Sequence, residues 1–261
     1  MTGGSDRHPV IFVGHGNPMN AIVPNRFADA WATLGVELPR PRAVLSMSAH
    51  WYVAGLAVTA MAEPRTIHDF GGFPRELFEV SYPAPGDPGL ADRVRSMLAP
   101  LEVVADTSWG LDHGSWSVLR HLYPEADVPV VQLSIDARKE PAYHAEIGRR
   151  LAPLRDDGVL IMGSGNVVHN LQLAQFGPHV QPFDWAVRFQ ADVRSRIEAG
   201  EDASLVNYPD LGQDARLAIP TPDHYYPLLY ALGARHPDDE VRFPVEGIDG
   251  ASLSMLSVVL G

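Results

Sequence analysis

Three apolar runs in this chain each break off at a glycine- or serine-rich turn, and each turn delivers a histidine. Val10 to Val13 runs into Gly14-His15-Gly16. Ala43 to Ala49 runs into His50. Val159 to Met162 runs into Gly163-Ser-Gly-Asn166, with His169 just beyond. Short apolar runs bounded by turn residues read as buried strands. Helical spacing is found between and around them: Arg26 to Leu34, Pro88 to Leu98, a helix through Leu122 entered from the turn Trp109–Trp116, Pro141 to Leu154, and Asp184 to Glu198. Strands alternating with helices predict an α/β fold with a mostly parallel central sheet and helices on both faces. Ligands of such sheets bind outside the carboxyl ends of the strands. If the three strands are parallel neighbours, His15, His50 and His169 meet at that edge, and neutral imidazole is the commonest metal ligand.

Further strands are expected at Leu56 to Ala60, Glu102 to Asp106, Val128 to Ile135, Val241 to Val245 and Leu253 to Leu260. A last helix is expected over Asp223 to Leu232, with Asp223 as its N-cap after Pro222. Residues 63–86 hold many Pro, Gly and aromatic residues, and so long a loop in a compact domain reads as a lid or binding loop. There is no internal repeat, low-complexity tract or linker, so residues 1–261 are read as one domain, with residues 1–8 expected to be disordered.

The chain has no cysteine, which excludes disulfides, thiolate nucleophiles and thiolate metal sites; any metal must bind through nitrogen and oxygen. A net charge of −12 without a basic cluster opposes binding to nucleic acid or to an anionic membrane surface. No apolar stretch is long enough for a transmembrane helix, and the polar start is no signal peptide. A cytoplasmic protein, monomeric by default, is the expectation.

Of eleven histidines, His8, His121, His144, His179 and His236 lie in polar or helical contexts and are expected at the surface. His15 stands between two glycines, which let a ligand approach closely. His50 alone reads equally as a core residue or a site residue. His169 follows a glycine-rich turn that resembles a phosphate cradle but lacks the P-loop lysine. His113, in Asp112-His-Gly-Ser-Trp116, is open to roles as base, hydrogen-bond donor or cap. His224, in Pro220-Thr-Pro-Asp-His-Tyr225, is expected on the first turn of a helix. His-Glu-x-x-His and Gly-x-Ser-x-Gly signatures are both missing, which argues against a helical zinc protease and an α/β-hydrolase.

Gly14-His-Gly-Asn-Pro18, Ser48-Ala-His-Trp51, His68-Asp-Phe-Gly-Gly-Phe-Pro74, Tyr82-Pro-Ala-Pro-Gly86, Leu111-Asp-His-Gly-Ser-Trp116, Gly163-Ser-Gly-Asn-Val-Val-His-Asn170 and Pro220-Thr-Pro-Asp-His-Tyr225, taken together, resemble the 4,5-DOPA extradiol dioxygenase family. That family belongs to the class III extradiol ring-cleavage dioxygenases, with protocatechuate 4,5-dioxygenase among its relatives. The resemblance spans nearly the whole chain. It implies a mononuclear metal held by His15, His50 and His224, with His169 as catalytic base or fourth ligand. It also implies His113 in the same pocket and Asp69 to Phe73 in a loop over it. The implied reaction opens a catechol with dioxygen, next to the diol, on iron(II). At the third ligand position many class III relatives carry glutamate, where this chain has His224. An all-histidine set suits zinc(II) as much as iron(II).

Trp51, Phe70, Phe73, Trp116 and Tyr225 are candidates to wall a flat apolar pocket for the ring. Arg65 and Arg75 are candidates to meet a substrate carboxylate by their place in the long loop. A zinc hydrolase and a non-catalytic metal-binding scaffold stand as alternatives on the same residues.

Overall fold

The computed structural model describes residues 7–177 and 179–261. Its centre is a six-stranded sheet of β1 (Val10–Gly14), β2 (Ala43–Ser48), β3 (Val130–Gln132), β4 (Val159–Gly165), β5 (Val241–Val245) and β6 (Ser257–Leu260), in the order β3-β2-β4-β1-β6-β5. The strands β3, β2, β4 and β1 run parallel, and β6 and β5 add an antiparallel edge. The mostly parallel sheet is as expected.

Every residue of β1, β2 and β4 is buried, as continuous apolar strands covered on both faces should be. Alternation along the strand splits them between two cores. Val10, Phe12, Leu45 and Ile161 point to one, and Ile11, Val13, Val44 and Leu160 to the other. Helices α1 (Arg26–Glu37) and α3 (His113–Leu122) cover the second face through Trp31, Leu34, Trp116 and Leu119. Helices α2 (Pro88–Leu98), α4 (Pro141–Leu151), α5 (Asp184–Ala199) and α6 (Tyr226–Gly233) build the first.

Several expected elements are shorter or broken. The run Val128 to Ile135 divides into β3 and a two-residue strand, Ile135–Asp136. Leu253 to Leu260 divides into Leu253–Ser254 and β6. Leu56–Thr59 and Val103–Asp106 pair with each other outside the main sheet. The last helix starts at Tyr226, so Asp223 caps nothing and His224 lies ahead of the first turn. Of the disorder expected for residues 1–8, residues 1–6 lie outside the described residues. His8, placed at the surface by its sequence context, is buried: its ring bonds Pro39 O at 2.9 Å, and its own carbonyl accepts from the buried Arg155.

His144 is a second correction. It is fully buried, stacked on Tyr226 with ring centroids 4.1 Å apart, and its Nδ1 meets the Tyr230 hydroxyl at 3.0 Å. Burial pushes its pKa down to about 4. The unfolded chain takes up a proton near pH ~6.5 that the folded chain refuses. Stability from this group is therefore complete above pH ~6.5 and is lost as the pH falls toward 4. Between pH 7.5 and 5 the loss should be about 2 kcal/mol. Urea titrations at the two pH values should show His144→Gln with a correspondingly smaller pH dependence than the parent. Equal pH dependence would remove His144 from the account.

Candidate metal centre

The carboxyl ends of β1, β2 and β4 lie level, with Val13 and Ser48 both in register with Ser164. One residue past β1 and two past β2, His15 and His50 turn toward each other, and their Nε2 atoms are 3.2 Å apart. His113 arrives as the first residue of α3. Its helix is capped by Asp112, whose carboxylate accepts from Ser115 N and from the side chains of Ser48 and Gln132. His169 is fixed beyond β4 by pairing with Leu253 and by its amide donating to Ala218 O. His224 is brought in by backbone contact. A Cβ on Gly165 would fall 2.1 Å from His224 O, and Asn166 N donates to that same oxygen at 2.8 Å. The glycines of Gly163-Ser-Gly-Asn166 thus allow another backbone to pack against the strand, not a phosphate to bind.

The five imidazoles form the floor of a cavity of about 390 Å3. The ring centroids of His15, His50 and His224 mark a nearly equilateral triangle, with sides of 5.0, 5.1 and 5.3 Å. The nearest ligand-capable atoms form two groups, His15–His50–His113 and His169–Asp223–His224, and the expected ligand set His15, His50, His224 draws on both.

Hydrogen bonds fix the tautomers. The Ser164 hydroxyl has one proton and gives it to Gly114 O at 2.5 Å, so it accepts from His15 Nδ1 at 3.0 Å. A carboxylate only accepts, so Asp69 Oδ2 takes Nδ1–H from both His50 and His113, at 3.1 and 3.0 Å. Asp69 Oδ1 takes the backbone N–H of His113 at 2.9 Å. His224 Nδ1 pairs with Asp223 Oδ2. Four rings thus keep Nδ1 protonated and direct a lone pair from Nε2. Metal-binding histidines are almost always oriented by such partners. His169 is the exception: its ring stacks on His224 with centroids 3.4 Å apart, and neither ring nitrogen has a hydrogen-bond partner among the described residues.

Lone pairs facing each other at 3.2 Å require a cation between them, either a proton or a metal ion. Nitrogens that are each about 2.1 Å from one ion stand roughly 3.0–3.4 Å apart at the usual angles, so the residues fit a metal. The electrostatics agree. Burial would raise the pKa of Asp69, but hydrogen bonds from His113 and His50 hold it well below the carboxylate range. Asp223 is likewise held down, against burial, by His224. Burial lowers the pKa values of His15, His113, His169 and His224, the last to about 4 and His169 to about 2. His50 alone is raised: the charges and hydrogen bond of its carboxylate neighbours, Asp69 foremost, outweigh its burial. The floor therefore offers imidazole nitrogens flanked by two carboxylates, a donor set for a divalent ion.

Of the five aromatics expected in the pocket, Phe70 and Phe73 line it and the other three do not. Trp51 is buried and stacked on Trp109. Trp116 is buried, its Nε1 donating to Ile67 O. Tyr225 is buried, its hydroxyl donating to Leu205 O. Each lies within three residues of a floor histidine in sequence, but points into a core. The cavity wall is instead made by Pro18, Phe70, Phe73, Leu171, Phe176 and Leu253. Asp69 was legible as part of the covering loop, and its hold on two histidines was not. Ser164 had no sequence signal beyond its place between two glycines.

The family described as the catalytic LigB subunit of aromatic ring-opening dioxygenase matches residues 14–260. A protein of Escherichia coli K12 named 4,5-DOPA dioxygenase extradiol is 50% identical over 261 residues, covering 98% of this chain and 96% of that one. One of the same name from Beta vulgaris is 36% identical over 252 residues, covering 94% and 93%. The crystal structure of an uncharacterized protein from Escherichia coli K12 superposes with a TM-score of 0.86 at 46% identity, covering 98% of this chain and 100% of that one. Among the described residues no helix is long and apolar enough to cross a membrane. This chain belongs to the family of catalytic LigB-type subunits of aromatic ring-opening dioxygenases and is an enzyme of the extradiol dioxygenase type.

Proposed function

We propose that this enzyme opens a catechol ring beside its diol with dioxygen, at one metal ion held by His15, His50 and His224. The observation that carries the reading is the set of three imidazoles at the corners of a triangle, each with Nδ1 anchored, to Ser164, Asp69 and Asp223. Iron(II), bound there, would supply the electron-transfer capacity that dioxygen chemistry needs and zinc lacks. The chain's own groups handle the protons. His169, uncommitted and kept neutral by burial, is placed to take a proton from a catechol hydroxyl at its free ring nitrogen. His113 accepts or returns a second proton at Nε2, while Asp69 on its Nδ1 stabilises the charged form. Phe70, edge-on to His113 with centroids 5.3 Å apart, and Phe73 give the ring an apolar wall.

Both relatives described above bear the name 4,5-DOPA dioxygenase extradiol, which makes L-DOPA the first substrate to try. Metal-free protein is loaded anaerobically with iron(II) or zinc(II), mixed with L-DOPA and opened to air. Visible absorbance and oxygen uptake are followed. Colour with matching oxygen consumption from the iron form alone is expected. The all-nitrogen donor set also suits zinc, and zinc-dependent hydrolysis that proceeds without oxygen would replace this reading with a hydrolase.

A further inference from the structure

We propose that the cavity selects catechols whose ring substituent carries no net negative charge: apolar or ammonium-bearing side chains are accepted, and an uncompensated carboxylate is rejected. This rests on the reading of the cavity as a catechol site. With the diol at the imidazole floor, the far end of the ring points to the mouth. There the substituent meets Pro18, Phe70, Phe73, Leu171, Phe176 and Leu253.

Among the described residues, none of the side chains lining the cavity is a lysine or arginine. The two arginines that sequence position suggested are engaged elsewhere. Arg65 Nε donates to Trp109 O at 3.0 Å, and Arg75, 88% exposed, pairs with Glu79. The N-terminus of α3 opens beside the floor, but its first amide, on His113, is taken by Asp69, and that of Ser115 by Asp112. Asn17 is the one neutral amide on the wall among the described residues, and its oxygen accepts from Met19 N, leaving a single NH2 group.

The charge balance points the same way. Asp69 and Asp223 contribute two negative charges at the floor, and imidazoles that hold a metal through their lone pairs contribute none. A divalent ion cancels those two, and no positive charge remains to meet a second anionic group. A carboxylate among the apolar wall residues would be desolvated without a partner, which is costly. The mouth is open to water, so the penalty should be about tenfold or more in affinity, not total exclusion.

Three catechols with side chains of similar length separate the cases: 4-propylcatechol, dopamine and 3-(3,4-dihydroxyphenyl)propanoate. Dissociation constants are measured by calorimetry on the zinc-loaded protein, and kcat/KM on the iron-loaded protein. The propanoate should be at least about tenfold worse than the other two in both. Leu171→Arg, at a rim position 61% exposed, should recover most of that loss for the propanoate and weaken dopamine. Equal or better binding of the propanoate by the parent overturns the proposal, and so does indifference of all three ligands to Leu171→Arg. If binding follows the expected order and the iron form turns over none of the three, the dioxygenase reading falls while the charge selection stands. Turnover without the charge order has the opposite meaning.

Discussion

His169→Ala is expected to retain its metal and to lose about a hundred- to ten-thousandfold in kcat, the usual worth of a positioned general base. His15, His50, His113 and His224 each spend one nitrogen on Ser164, Asp69, Asp69 and Asp223. That spent nitrogen marks a ring aimed by its neighbours. His169 spends neither, and is held by its backbone and by the face of His224. An imidazole so held keeps a ring nitrogen for substrate. Burial and the neighbouring His224 keep it neutral in the free protein, with a pKa near 2. A value so low would make a poor base, but a bound catechol brings negative charge as its hydroxyl ionises, and that charge favours the imidazolium. The variant should therefore bind catechol with little change in affinity and stall at the chemical step. Metal content by elemental analysis, together with kcat and KM, checks this. A variant that comes off the column without metal would make His169 a ligand and end its assignment as base.

How much of this was readable beforehand depended on distance along the chain. His15 and His50 were legible because a short apolar strand ending in a turn fixes where its next residues go once the sheet is parallel. The resemblance to a known family added His224, which no periodicity would have placed, since Gly163 and Gly165 bring its segment in by backbone contact across about sixty residues. Aromatic neighbours misled for a simple reason: adjacency in sequence says nothing about which way a side chain points. Trp116, three residues after His113 on the same helix, faces the core, and Trp51 leaves His50 to stack on Trp109. Asp223 looked like a helix cap because it follows proline, yet the helix begins later and the carboxylate serves His224. The partner of His50 and His113 was beyond reach altogether, because the loop bearing it is stitched to α3 and the segment just ahead of it only in the folded chain, through Ile67 N to Leu111 O and Trp116 Nε1 to Ile67 O.

That partner gives the second large effect. Asp69→Asn should weaken metal binding about ten- to a hundredfold, the usual consequence of removing the group that orients a ligand. The carboxylate accepts three N–H groups: Nδ1–H of His50 and of His113 at Oδ2, and the His113 amide at Oδ1. An asparagine of the same shape has one oxygen and one NH2. If its oxygen faces the two rings, its NH2 points at the His113 amide. If it is flipped, its NH2 points at both rings. Either way a donor meets a donor, and relief comes only by moving α3 or by switching a ring to the other tautomer. A switched His50 would carry its proton on Nε2, where the lone pair toward His15 is needed. The loss should therefore appear in the metal dissociation constant first, and in kcat even when metal is saturating, because His113 loses the carboxylate that supports its charged form. This pattern is the reverse of that for His169→Ala, which keeps metal and loses only chemistry. An Asp69→Asn protein that binds metal as tightly as the parent would show that the tautomers are set by something other than this carboxylate.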